Sequence, residues 1–137
     1  MRRFVLVLAG GALGSGARYL VAVWAAGALT ALLPIGTALV NVTGSFFIAV
    51  VLDLALRAGL LSPDLRMFLA TGVAGGYTTY SSLDMETLVL VQRGSVGLAA
   101  VYFGGTAILC AVAGGLGMAA TRAVTGTLAQ YAARGWR

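Results

Sequence analysis

Apolar residues fill four long stretches of the chain, and polar residues collect between them or at isolated points inside them. The stretches run from about Phe4 to Leu29, Ile35 to Leu56, Leu65 to Val91 and Val96 to Ala119. Each exceeds the roughly 20 residues that a helix needs to cross a bilayer. The pattern predicts an all-α membrane protein with four transmembrane helices. Pro34 and Gly36, after Thr30-Ala31-Leu32-Leu33, mark the first turn. Ser62-Pro63-Asp64 reads as a helix start, and Arg93-Gly94-Ser95 as a short turn. Residues 1–120 are expected to form one four-helix unit. The basic tail, 121–137, is expected to lie at the interface or be disordered.

The third stretch is the exception to simple helical reading. It contains Gly72 to Glu86, GVAGGYTTYSSLDME, in which two glycines precede the hydroxyl run Tyr77 to Ser82. Gly75 and Gly76 each cost a helix roughly 1 kcal/mol against Ala. Buried hydroxyls without partners cost a few kcal/mol more. A non-helical break at membrane depth is tolerated only where it is buried in protein or lines a watery cavity. Its freed carbonyl and N–H groups can hold ions. The expectation is a third helix broken near its middle, either handling an ion or bonded to neighbouring helices.

Other polar positions lie inside the apolar stretches. Arg18 must face protein, water or an anion. Asn41 and Ser45 share a helix face one turn apart, and an amide can donate two hydrogen bonds to a desolvated anion or to another helix. Asp53 stands one turn before Arg57 and should pair with it. Asp84 and Glu86, just past the break, mark either a functional site or the wall of an aqueous vestibule. Tyr102, Thr106 and Cys110 recur every four residues as a stripe that Gly114 continues. Gly10 and Gly14 have the spacing that brings membrane helices together, and Gly104, Gly105, Gly114, Gly115 and Gly117 suggest further close contacts.

Composition agrees with this plan. Sixty per cent of residues are hydrophobic and 9% are charged, against about 25% charged in soluble domains. Arg2 and Arg3 before an apolar run also suit a cleaved leader, but the chain stays apolar after Gly14-Ser15-Gly16-Ala17, so a span is expected. There is no histidine, the commonest metal ligand, and Cys110 is the one cysteine, which excludes an intrachain disulfide. No nucleophile–base pair or phosphate loop is evident, so an enzyme is not expected. Four spans place seven arginines (2, 3, 57, 66, 122, 134 and 137) on one side and Arg93 on the other. The positive-inside rule puts both termini in the cytoplasm of a cell-membrane protein.

Three segments together resemble the Fluc/CrcB fluoride channel family: Gly10 to Gly14 through Arg18-Tyr19, Pro34 to Phe46, and Gly72 to Leu83 followed by Glu86-Thr87-Leu88. The resemblance covers nearly everything except the tail. It implies an antiparallel dimer with two fluoride pores, each lined by both subunits, in membrane lipid and without a nucleic-acid partner. It also implies a structural Na⁺ at the dimer centre, held by the backbone carbonyls of Gly75 and Thr78. Asn41 matches the family's pore asparagine, Tyr102 and Thr106 its fourth-helix polar track, and Ser81 and Ser82 its hydroxyl pair. Arg18 and Glu86 are expected as vestibule or structural charges.

The chain departs from that pattern where the family has Phe-Ser-Thr-Phe; here the residues are Tyr80-Ser81-Ser82-Leu83. Tyr80 keeps a positive ring edge for an anion, and Leu83 does not. Cys110 and Gly114 stand where the track usually carries hydroxyls. With the arginine bias, these departures point to a specialised subunit paired with an oppositely oriented paralogue; a homodimer is the alternative. The expected activity is passive, fluoride-selective export. Its rivals are a non-conducting subunit of a heteromeric channel and a small four-helix proton-coupled exporter. An exporter of that kind needs a carboxylate early in the chain, where this sequence has only Arg18.

Overall fold

The computed structural model describes residues 1–28 and 33–134. The expected first-span end at Leu29, the turn residues Thr30 to Leu32 and the tail's last residues, including Arg137, lie outside them. The described residues form helices joined by short connections, with no strand. In order they form α1 (Arg2–Ala28), α2 (Ile35–Leu52), α3 (Pro63–Arg66), α4 (Gly75–Tyr77), α5 (Tyr80–Gln92) and α6 (Val96–Arg134). Asp53–Arg57 extends α2 as a π-helical turn, and a π-helical segment, Met67–Ala74, joins α3 to α4. Three helical segments are long and apolar enough to cross a membrane: Arg2–Gly27, Ile35–Arg57 and Val96–Thr127. The stretch expected to make the remaining crossing is divided at Thr78 and Thr79, which are extended.

Local chemistry sets the helix ends. Ser62 caps α3, its hydroxyl accepting from Leu65 N at 3.2 Å, with Pro63 and Asp64 in the first turn. At the end of α5, Ser95 N donates to Leu90 O and Gly94 N to Val91 O, with Gly94 at φ 78°. This paired bonding around a left-handed residue is the Schellman ending, which needs glycine. The basic tail gives no such ending. Residues 121–134 continue α6 without interruption. Ala, Thr and Leu there supply no stop signal, and Thr121 and Thr125 bond back to the preceding turn.

The helices pack through glycine. Gly10 and Gly14 of α1 face Gly72 and the Val73 to Tyr77 backbone, and Gly11 faces Gly76. A methyl group on Gly76 would lie 2.5 Å from Gly11 O, and one on Gly10 2.5 Å from Phe68 O. Two backbones therefore touch along this crossing, as small residues permit. On α6 the glycines divide. Gly117 meets α2, where an added methyl would lie 2.7 Å from Phe46 O, whereas Gly104, Gly105 and Gly115 face open space in this chain. A buried apolar cluster of Leu83, Leu90, Ala99 and Tyr102 joins α5 to α6.

Ion pairs fasten one end of the assembly. Asp53 binds Arg57 through Nε at 2.9 Å and Nη2 at 2.8 Å, as the spacing predicts, and Arg122 of α6 lies 3.7 Å away. Arg2 and Arg3 of α1 both meet Asp64 of α3.

Gly76→Ala should destabilise the protein by about 1–3 kcal/mol, the usual cost of forcing atoms into a filled contact. Gly115→Ala should cost nothing, because its methyl meets no atom within 4 Å. Heating the purified variants in detergent and following the surviving fraction by size exclusion checks both.

Candidate functional site

The site is built on two residues that leave the helix. Thr78 (φ −77°, ψ 156°) and Thr79 (φ −150°, ψ 116°) are extended between α4 and α5. Extended backbone exposes N–H and C=O groups that a helix would pair, and in an apolar setting each must find a partner. Asn41 of α2 supplies both partners for Thr79. Its Nδ2 donates to Thr79 O at 2.9 Å, and Thr79 N donates to its Oδ1 at 2.8 Å. The amide is buried and mimics one rung of a β-ladder. Gly44, one turn further on, makes room for the Thr78 side chain, whose methyl would strike any Cβ there.

Thr79 also starts α5. Its hydroxyl accepts from Ser82 N at 3.2 Å and donates to Ser82 Oγ at 3.0 Å. Two helical bonds are lost as a result. The amides four residues beyond Gly75 and Thr78 are Thr79 N and Ser82 N, and both donate to side chains instead. The carbonyls of Gly75 and Thr78 are thereby released from their helical partners. Carbonyl oxygens of this kind are hard ligands suited to a small cation.

A second polar group lies between the site and one end of the assembly. Glu86 of α5 accepts from Thr37 Oγ1 at 2.8 Å and from the Tyr102 hydroxyl at 2.6 Å. The Tyr102 oxygen is also 3.1 Å from Pro34 O, so its single proton serves one acceptor at a time. Three helices are thus joined through one carboxylate. Glu86 lines a cavity of about 410 Å³ together with Arg18, Ser15, Thr37, Thr79 and Ser82. It also borders a second cavity, of about 510 Å³, which Arg93 reaches from the end of α5. Arg18 and Glu86 therefore put opposite charges on the wall of one space.

The remaining candidates separate by face. Tyr80, Ser81 and Asp84 lie on a side of α5 that the chain leaves uncovered. The Tyr80 ring meets Phe103 edge to face at 6.2 Å and 78°. Leu83 points the other way, into the apolar cluster with Leu90, Ala99 and Tyr102, so within this chain it lines neither cavity. Tyr102 and Thr106 are buried and Cys110 is half-buried, which turns their stripe inward. Sequence reasoning left out Thr37 and gave Thr79 no role. Thr37 stands four residues before Asn41 on the face that carries Ser45; that spacing was its signal.

The description "CrcB-like protein, Camphor Resistance (CrcB)" belongs to a family model that matches residues 5–118. A protein of Anaeromyxobacter sp. strain K named Fluoride-specific ion channel FluC is 52% identical over 113 residues, covering 82% of this chain and 90% of its own. One of the same name from Thermus thermophilus is 50% identical over 109 residues, 80% of this chain and 85% of its own. Another, from Rhizobium meliloti strain 1021, is 40% identical over 124 residues, 90% and 99% of the two chains.

Asn41→Ala should strand two buried backbone groups on Thr79. At about 1–3 kcal/mol for each group, the loss should reach roughly 2–6 kcal/mol. Thermal unfolding in detergent should fall far more for this variant than for Thr127→Ala, whose hydroxyl only bonds its own helix at Ala123 O.

Proposed function

The chain belongs to the CrcB-like family, and from that premise we propose that it is a subunit of a passive, fluoride-selective channel. It is a multi-pass membrane protein, and the family consists of ion channels rather than enzymes. The observation that carries the reading is the Asn41 clamp on Thr79, which keeps the backbone open between α4 and α5. In this reading Pro63–Tyr77 and Tyr80–Gln92 together make the third of four crossings, interrupted near its centre.

Fluoride is small and strongly hydrated, so a pore must replace its water with donors. The second Nδ2 proton of Asn41, the hydroxyls of Ser81, Ser82 and Thr106, and the ring edge of Tyr80 are donors of the right kind; the Tyr102 hydroxyl joins them only by giving up Glu86. Arg18 adds positive potential to the cavity it lines. Tyr80 and Ser81 sit on a face uncovered in one subunit, which supports pores completed by a second, antiparallel subunit. Cys110 borders the hydroxyl track at its weaker end.

The released carbonyls of Gly75 and Thr78 fit a structural Na⁺. Two subunits would offer four such oxygens around a hard cation. Bound there, the ion would supply a fixed positive charge and tie the two breaks together. A membrane potential of about 100 mV, negative inside, contributes roughly 2.3 kcal/mol towards anion exit, which suffices to export fluoride from the cytoplasm without ATP.

A second reading has its own support. Leu83 lies in the apolar core where the family has an aromatic ring, and the arginines are concentrated on one side. Both favour a specialised subunit, held in one orientation and paired with an oppositely oriented paralogue, over a homodimer.

Liposomes containing only this purified chain should release fluoride while retaining chloride if two copies suffice. Absence of fluoride release from folded protein would overturn the self-sufficient channel and favour the paired subunit, with co-reconstitution as the next measurement. Orientation has a separate check. A C-terminal fluorescent reporter should light the cytoplasm, and a C-terminal alkaline phosphatase should stay inactive; activity from both would overturn the single orientation.

A further inference from the structure

At one end of the helix assembly, each carboxylate is shared by two arginines. Asp64 meets Arg2 at 2.9 Å and Arg3 at 3.4 Å, while Asp53 meets Arg57 at 2.8 Å and Arg122 at 3.7 Å. Each group carries a net positive charge of one. Their surroundings differ. The side chains of Arg2 and Arg3 are 83% and 67% exposed, so water screens that group. The Asp53 side chain is only 5% exposed. A buried carboxylate strongly disfavours losing its partners, so it holds Arg57 in place.

The arginines are not saturated by Asp53. Arg57 commits Nε and Nη2 to the carboxylate, and Nη2 also donates to Thr125 Oγ1 at 3.0 Å, which leaves Nη1. Arg122 turns Nε towards Asp53, leaving both Nη groups on a side chain that is 62% exposed. Among the described residues, neither arginine has another carboxylate. Two guanidiniums paired with one buried group, 42% and 62% exposed, therefore keep spare N–H donors. Such donors suit the oxygens of a phosphate, which guanidinium groups bind through paired hydrogen bonds.

Position selects the source of that phosphate. Arg57 closes the apolar span Ile35–Arg57, and Arg122 lies one turn past Met118 near the end of the apolar part of α6. Leu56 and Met118, beside and one turn before these arginines, are exposed apolar side chains on which an acyl chain can lie. The ends of apolar spans are where lipid headgroups sit, and basic clusters between helices there attract anionic lipids. Arg122 and Thr125 also fall outside the 5–118 region matched by the family model.

We infer that Arg57 and Arg122, positioned by Asp53, form a binding site for the phosphate of an anionic phospholipid. The inference rests on membrane embedding and not on fluoride conduction, so either can fail without the other. The test is native mass spectrometry of the purified full chain in detergent with equal amounts of phosphatidylglycerol and phosphatidylcholine. Wild type should retain phosphatidylglycerol preferentially. Arg122→Gln should lower that preference roughly fivefold, the weight of one interfacial arginine. Arg93→Gln, at the other end of α5, should leave it unchanged, and a large excess of inorganic phosphate should not displace the lipid. Arg122 is exposed, so its loss should leave folding intact, and retention on size exclusion verifies this. The site is overturned if wild type shows no preference, if Arg122→Gln keeps it, or if Arg93→Gln loses it equally. Displacement by inorganic phosphate would reassign the site to free anions and overturn the lipid.

Discussion

The structure depends on one amide. Extended backbone inside an apolar helix assembly is costly unless every polar group is bonded. Asn41 bonds the N–H and C=O of Thr79 together, through its two ends, from a separate helix. Once that rung exists, the rest of the break follows. Thr79 can turn its hydroxyl to start α5, Thr78 can stay extended, and the carbonyls of Gly75 and Thr78 lose their helical partners. The interruption is therefore a bonded structure of its own, held from α2.

Such a hold demands that the helices keep their spacing. The glycine crossing of α1 against the Gly72 to Gly76 region fixes one side, since an added methyl at Gly10 or Gly76 would meet backbone. Glu86 fixes the other, drawing Thr37 of α2 and Tyr102 of α6 onto one carboxylate. The charge is satisfied by neutral hydroxyls rather than by Arg18, which faces the same cavity. That cavity consequently keeps both a positive and a negative wall.

Much of this was legible in the sequence, for reasons that differ by residue. Long apolar stretches identify spans because the bilayer sets their length. Paired glycines before a hydroxyl run announce a break, since neither suits a lipid-facing helix. Asn41 stood out as an amide inside an apolar stretch, but its partner sits 38 residues away and only the packing brings them together. Thr37 was missed because a helical threonine usually bonds its own preceding turn, as Thr43 does. Leu83 was placed by its position in a family motif, whereas its apolar side chain follows the core. The continuation of α6 into the tail was not legible, because arginines tell where a membrane ends and say nothing about where a helix ends. Glycine spacing likewise cannot name the neighbour, as Gly104 and Gly105 show by facing open space.

The ion pairs gather at a single end of the helices; among the described residues, none lies at the end reached by Arg93. The chain is thus stapled by ion pairs at one end and joined at the other by the hydroxyl bonds to Glu86, which makes it mechanically lopsided. Two subunits set head to tail would place each stapled end beside an unstapled one. The pair would then be equally stiff towards both sides of the membrane, although neither member is.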